Sequence, residues 1–303
     1  MDNHDRPNGH DNIRLPLASA TDPASALVEV DLAALTHPGH LRVRNEDHYL
    51  AARFGRSLET LSSNITEGLL DRSFDEVGYG MVVADGMGGM SAGDVASRTA
   101  LSKFVELVVN TPDWFLNVAR HDDMATVMRR MTERFRRIDD ELRERAQNNQ
   151  TLLGMGTTLT MAVSLSSNLL VGHIGDSRAY LLRNNSLHQL TRDDTLAQAL
   201  IDAGIADPED AATRAMRHVL TAAIGSTGEP VDPQVKRVHL CHGDRVLLCT
   251  DGLPAMVKDE AIADALIKAD SASDACAKLI ALALGAGGVD NVTVVLAHYK
   301  FPS

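Results

Sequence analysis

Val83-Ala84-Asp85-Gly86-Met87-Gly88-Gly89, followed by Gly93 and Ala96-Ser97, is the most constrained run in this chain. Three glycines in the four positions after a carboxylate imply backbone pressed against another segment, because glycine lacks the Cβ that would hold the two apart. Upstream, Tyr79–Ala84 is short, apolar and β-branched, as a strand is. Downstream, a helix is expected from about Ser91 to Val108, with Val95, Ala96, Ala100, Phe104, Leu107 and Val108 on one face. Asp85 therefore stands at a strand end and projects from rigid backbone into the space the glycines leave open.

The arrangement recurs. Asn45-Glu46-Asp47, Thr250-Asp251-Gly252-Leu253 and Asp290-Asn291 also lie beside strand candidates. One Asp-Gly is an ordinary way to end a strand, but several such ends can bring carboxylates together. Hard divalent cations such as Mg²⁺ and Mn²⁺ take oxygen ligands, one or two carboxylates each, and keep waters elsewhere. The absence of a Cys/His ligand cluster points away from zinc. The charge balance, 29 Lys+Arg against 41 Asp+Glu for a net −12, makes nucleic acid and anionic lipid poor partners. It does not by itself decide for metal binding, since a solvated acidic surface is the commoner use of such an excess.

A chain of 303 residues, 44% hydrophobic and 23% charged, is globular. Residues 1–26, with His4 and His10, are polar and aperiodic and read as a flexible tail; 27–303 read as one domain. Further strands are expected at Thr157–Ser164, Leu169–Ile174, Arg178–Arg183, Arg245–Thr250 and Val292–Ala297, with a hairpin turn at Gly175-Asp176-Ser177. Met124, Val127, Met128, Met131, Phe135, Ile138 and Leu142 form a core-facing helical stripe, and another helix covers about Ala272 to Leu284. Strand runs with inserted helix pairs and few βαβ alternations make the fold class α+β with mainly antiparallel sheets. Cys241, Cys249 and Cys276 share no CxxC spacing and read as reduced core residues. Apolar runs such as Leu279–Leu284 fall short of the roughly 20 residues that span a bilayer. The N-terminus carries no secretory signal pattern, so a cytoplasmic protein is expected.

Over residues 36–298 the chain resembles the metal-dependent serine/threonine phosphatases of the PP2C (PPM) type, in their bacterial form. The resemblance rests on seven blocks in the family's order. The first three are Gly39-His40-Leu41-Arg42 running to Asn45-Glu46-Asp47, then Val83 to Gly89 with Gly93, then Gly156-Thr157-Thr158. Gly172 to Tyr180 around Gly175-Asp176-Ser177-Arg178 follows, then Leu190-Thr191-Arg192-Asp193, Leu248 to Leu253, and Asp290-Asn291-Val292-Thr293. It implies an αββα sandwich, two mainly antiparallel sheets flanked by pairs of antiparallel helices, with a flap over about 190–225. It implies two Mn²⁺ or Mg²⁺ ions: Asp85 bridging both, Glu46 and the Gly86 carbonyl on one, Asp251 and Asp290 on the other, Asp47 behind them. Asp176 with Asp251 would serve a third ion. Arg42 matches the family's phosphate-holding arginine, and its fork suits two phosphate oxygens at once.

The implied activity is hydrolysis of phosphoserine and phosphothreonine in phosphoproteins by a water activated between two metals, by a monomer paired with a cognate serine/threonine kinase. No cysteine nucleophile is required. Met87 stands where eukaryotic members carry a proton-donating histidine, and His48 or His173 is a weak substitute. Leu220-Thr221-Ala222-Ala223-Ile224-Gly225 lacks an arginine often found in the flap. Between Tyr49 and Glu76 extra residues, Ser57 to Leu61 for instance, read as an added helix or surface loop. Two other readings share the fold: a pseudophosphatase that binds phosphoproteins without turnover, which would have lost ligands, and a phosphatase of an anti-sigma-factor antagonist, whose relatives lack the arginine-containing first block.

Overall fold

The computed structural model describes residues 27–65, 73–88, 92–110, 124–207, 210–226 and 230–302; the expected tail lies outside them. From the N-terminus come β1 (Glu29–His37), β2 (Asp47–Glu59), β3 (Ser73–Met87), α1 (Ala92–Val109) and α2 (Met124–Asn148). Then follow β4 (Gly156–Thr157), β5 (Leu159–Leu165), β6 (Asn168–Ile174), β7 (Arg178–Arg183), β8 (Ser186–Gln189), α3 (Leu196–Asp202) and α4 (Ala211–Ala215). The chain closes with β9 (Gln234–His239), β10 (Arg245–Cys249), α5 (Asp259–Ile267), α6 (Ala272–Gly285) and β11 (Val292–Lys300).

The strands form two antiparallel sheets, ordered β1-β11-β10-β7-β8 and β2-β3-β5-β6-β9. Alternation along each strand divides its side chains between two faces. Met81, Val83, Leu169, Val171, Leu181, Val246, Val295 and Tyr299 fill the layer between the sheets. On the outer face of one sheet Val82, Leu159 and Leu170 pack against α1 and against Met131, Phe135, Ile138 and Leu142 of α2. On the other, Leu247, Val294 and Leu296 meet Ile262 and Leu266 of α5 and Leu279 of α6. The result is the expected α+β fold, layered helix, sheet, sheet, helix.

Four local expectations change. Leu169–Ile174 and Arg178–Arg183 are both strands but do not pair: β6 bonds to β5 and β9, β7 to β10 and β8. Gly175-Asp176-Ser177 is therefore a crossing from one sheet to the other and not a hairpin turn. Gly175 takes φ +109°, and a Cβ there would lie 2.6 Å from the Thr158 methyl, so the crossing hugs the neighbouring strand. Residues 57–59 continue β2 as a long ribbon with β3 (Ser57↔Asp75, Glu59↔Ser73) and are not helical. Their side chains are exposed, so the backbone ladder and not a buried face holds them. Met128 is 44% exposed, off the core stripe of α2; the side chains of Met124 and Val127 lie outside the description. Cys249 and Cys276 are buried, Cys241 only partly. No described helix is long and apolar enough to cross a membrane.

Helix α6 shows how sequence sets an end. Ser271 Oγ accepts the Asp274 amide at 3.1 Å and Asp31 Oδ2 accepts the Ala272 amide at 2.7 Å, so two orphan donors of the first turn are satisfied. Ser271→Ala is expected to cost about 1 kcal/mol, read as a lower urea midpoint with an unchanged slope.

Candidate metal centre

Antiparallel register sets Asp47 of β2 directly opposite Asp85 of β3. Asp47 is 4% exposed; its Oδ2 accepts the hydroxyls of Thr250 (2.8 Å) and Thr293 (2.7 Å) from the other sheet, and among the described residues its Oδ1 has no hydrogen-bond partner. Asp85 is pinned by its backbone. Its amide donates to Thr158 Oγ1 at 3.0 Å, and its carbonyl accepts the Thr158 amide at 2.9 Å and the Thr157 hydroxyl at 2.8 Å.

The glycine-rich run is packed as its composition implies. A Cβ on Gly86 would fall inside the Gly93 carbonyl, and one on Gly93 would lie 2.6 Å from both Glu46 Oε2 and the Gly86 oxygen. The start of α1 thus closes on the end of β3, with Glu46 between. The Gly86 amide donates to the Glu46 carbonyl at 3.2 Å, and the Ser97 hydroxyl donates to the same carbonyl at 2.6 Å. The Glu46 amide donates to Asn291 Oδ1 at 2.8 Å, while Asn291 Nδ2 donates to the carbonyls of Pro38 (3.0 Å) and Arg44 (2.9 Å). One buried asparagine therefore fixes the loop carrying Arg42 and Glu46 to the start of β11, beside Asp290.

These ends meet at a cleft of about 830 Å³ whose walls include Arg42, Glu46, Asp85, Asp176, Asp251 and Asp290. Burial, followed by the charges of Asp251 and Asp290 against two threonine hydrogen bonds, pushes Asp47 up to about 7. Burial and then the charges of Asp251 and Asp193 push Asp176, 8% exposed, up to about 7 as well. Burial and the neighbouring Asp47, Asp251, Asp176 and Asp290 hold Asp85 well above the ordinary carboxylate range. Glu46 is raised by burial and by Asp94. So many carboxylates resisting ionisation at one place create a demand for positive charge.

Part of that demand is met by Arg42, whose Nη2 lies 2.8 Å from Asp290 Oδ2. His218, within the segment 190–225, brings Nδ1 to 3.8 Å from Asp251 Oδ2; no motif in the sequence marks it, because an isolated histidine has no ligand spacing around it. Among the described residues no three His, Cys, Asp or Glu side chains close into a cage around one point. The carboxylates share a cleft without converging further.

The segment 190–225, expected as a flap, begins on a fixed base. Arg178 clasps Asp193 through Nη2 (2.7 Å) and Nε, and Asp194 Oδ2 accepts the Gly175 amide at 3.0 Å. Residues 208–209 lie outside the description. His48 and His173 are turned elsewhere: His48 Nδ1 meets Ser97 Oγ at 3.0 Å, and His173, fully buried, meets Thr160 Oγ1 at 2.7 Å. Burial pushes the thiols of Cys249 and Cys276 up to about 12, which leaves them unreactive.

The family model described as "Protein phosphatase 2C" matches residues 72–282. The serine/threonine protein phosphatase PstP of Mycobacterium tuberculosis is 37% identical over 217 residues, 72% of this chain and 40% of that one. The chain thus spans about 40% of the length of this relative. Protein phosphatase PhpP of Streptococcus pneumoniae is 30% identical over 270 residues, 88% of this chain and 96% of that one. The crystal structure of the catalytic domain of PstP in complex with two manganese ions aligns with TM-score 0.69 and 31% identity, covering 90% of this chain and 99% of that one.

Proposed function

Because the chain belongs to the protein phosphatase 2C family, we propose that it is a metal-dependent phosphoprotein phosphatase that hydrolyses phosphoserine and phosphothreonine monoesters. The observation that carries the reading is the facing pair Asp47 and Asp85, raised in pKa together with Asp176 at the wall of a cleft that also holds Asp251 and Asp290.

The donor set fits divalent cations. It is all oxygen, apart from the imidazole of His218, and the Oδ1 of buried Asp47 is an acceptor with no donor among the described residues. Asp85 would be shared by two ions, with Glu46 and the Gly86 carbonyl on one side and Asp251 and Asp290 on the other. Asp47 would orient the pair from behind, and Asp176 with Asp251 would hold a third. The two manganese ions in PstP favour Mn²⁺ here. When bound, such ions supply an activated water and neutralise charge on the phosphoryl oxygens.

The chain's own part is to bind and orient. Arg42, with 58% of its side chain exposed, presents a guanidinium to the cleft and offers its fork to two phosphate oxygens. Phosphate and Asp290 would compete for that guanidinium, and an Asp290 engaged by a cation would leave Arg42 to the substrate. Met87 lines the cleft after Gly86 and has no proton to give, so the leaving alkoxide takes its proton from another source. Arg42→Ala is expected to raise KM for a phosphothreonine peptide about tenfold, with a smaller change in kcat, in steady-state kinetics.

A binding module without turnover is not favoured, since Glu46, Asp85, Asp176, Asp251 and Asp290 are all retained. Arg42 likewise argues against a phosphatase dedicated to anti-sigma-factor antagonists. A cognate serine/threonine kinase as counterpart and a monomeric cytoplasmic enzyme belong to the same proposal. The test is phosphate release from a phosphothreonine peptide: expected with Mn²⁺ and absent with EDTA. Release that persists in EDTA, or folded protein inert with Mn²⁺, Mg²⁺ and several phosphopeptides, would overturn it.

A further inference from the structure

The lip of the cleft carries a second arginine with no structural employment. Arg44 is exposed and lines the cleft with Arg42 and Val43; among the described residues its guanidinium makes no ion pair or hydrogen bond. Its backbone is nonetheless held, since the Arg44 carbonyl accepts Asn291 Nδ2 at 2.9 Å. Val43 between the two arginines is 98% exposed. A solvated arginine is commonplace; one anchored at its backbone, free at its tip and set in the wall of an otherwise acidic cleft is less so.

Resting on the phosphatase reading, we propose that Arg44 is a specificity-determining residue that favours substrates with a second anionic side chain, a carboxylate or a second phosphate, within two residues of the phosphoresidue being hydrolysed. Arg42 and Arg44 are two positions apart, so their Cα atoms are separated by at most about 7 Å. Residues i and i+2 of an extended peptide are about 7 Å apart, a distance that two long arginine side chains rooted no farther apart than that can cover together. A substrate whose phosphate lies on Arg42 therefore presents its neighbour-but-one to Arg44, with the intervening residue over Val43. Within the protein the Arg44 charge acts on Glu46. A cation held by Glu46 would weaken that competition and leave the Arg44 guanidinium to the substrate.

The test uses Mn²⁺-loaded protein and three phosphothreonine peptides of one sequence: neutral flanks, glutamate two residues away on both sides, or a second phosphothreonine there. The kcat/KM ratio of acidic to neutral peptide is expected to be about fivefold for glutamate and tenfold or more for phosphate, carried mainly by KM. Arg44→Ala should bring the ratio close to one, Arg44→Glu below one, and 0.5 M salt should shrink the wild-type ratio. Binding of the same peptides, followed by fluorescence anisotropy, separates the two claims. Binding that discriminates through Arg44 without hydrolysis would overturn the phosphatase reading alone. A wild-type ratio near one, or one that Arg44→Ala leaves unchanged in both assays, would overturn the role of Arg44.

Discussion

Asp85→Asn is expected to lower phosphate release by roughly 10³-fold or more while leaving the protein folded, because the amide removes the one carboxylate proposed to serve two cations. The loss corresponds to about 4 kcal/mol of transition-state stabilisation at 1.36 kcal/mol per tenfold. The fold should tolerate the change well. Asp85 sits opposite Asp47 and among three further carboxylates that disfavour its ionisation, so a neutral isostere relieves repulsion in the cation-free protein. Its backbone anchors to Thr157 and Thr158 do not involve the side chain. The expected signature is an unchanged circular dichroism spectrum, an equal or higher melting temperature in EDTA, and lost turnover. Substantial turnover in the folded variant would remove Asp85 from the centre of the mechanism.

Cation-free protein is expected to lose stability as pH rises from about 4 to 7, and Mn²⁺ is expected to restore it. Asp47 and Asp176 move from the ordinary 3.8 to about 7, and Asp85 moves in the same direction. In that window the folded state keeps protons that the unfolded chain has released, so stability falls with pH, fully present below 3.8 and levelling off above 7. One carboxylate moved that far corresponds to about 4 kcal/mol. With cations the dependence is opposed, because ligands bind as carboxylates and protons compete with the ion. At a thousandfold excess over Kd the gain is about 4 kcal/mol, or roughly 10 °C in Tm for a domain of this size, larger at pH 8 than at pH 5. Melting curves in EDTA and in Mn²⁺ across pH 5–8 check both halves. Curves in EDTA that are flat with pH, joined by no Mn²⁺ shift, would contradict them.

The strand ends were legible where chemistry and turn geometry act on the same residues. Asp85-Gly86 and Gly93 announced a close approach, and the packing of Gly86 on Gly93 is that approach. Arg178–Arg183 and Leu169–Ile174 were readable as strands because each is apolar and bounded by turn residues, but which strand pairs with which is a long-range matter. A short loop at Gly175 looks alike whether it returns within a sheet or crosses between sheets. β1 and β9 escaped notice: Glu29–His37 contains helix formers at several positions, and Gln234–His239 is polar and half exposed at an edge. The outer part of the β2–β3 ribbon, between Tyr49 and Glu76, reads as an added helix or surface loop because its residues bury little and so show no core-facing period. At the site, Glu46, Asp85, Asp176, Asp251 and Asp290 line one cleft and Asp47 faces Asp85, whereas His218 and Arg44 carry no motif role and became visible only through their neighbours.

The carboxylates around the cleft ride on different halves of the sandwich: Asp47 and Asp85 on one sheet, Asp251 and Asp290 at strand ends of the other, with Asp176 on the strap that joins them. Their separation is therefore set by how far apart Met81, Val83, Leu181, Val295 and Tyr299 hold the two sheets. The greasy filling works as the spacer of a calliper whose jaws would close on the proposed ions. A methylene added or removed deep in that filling changes the gap at the jaws, so selection for ion affinity reaches residues that never touch an ion.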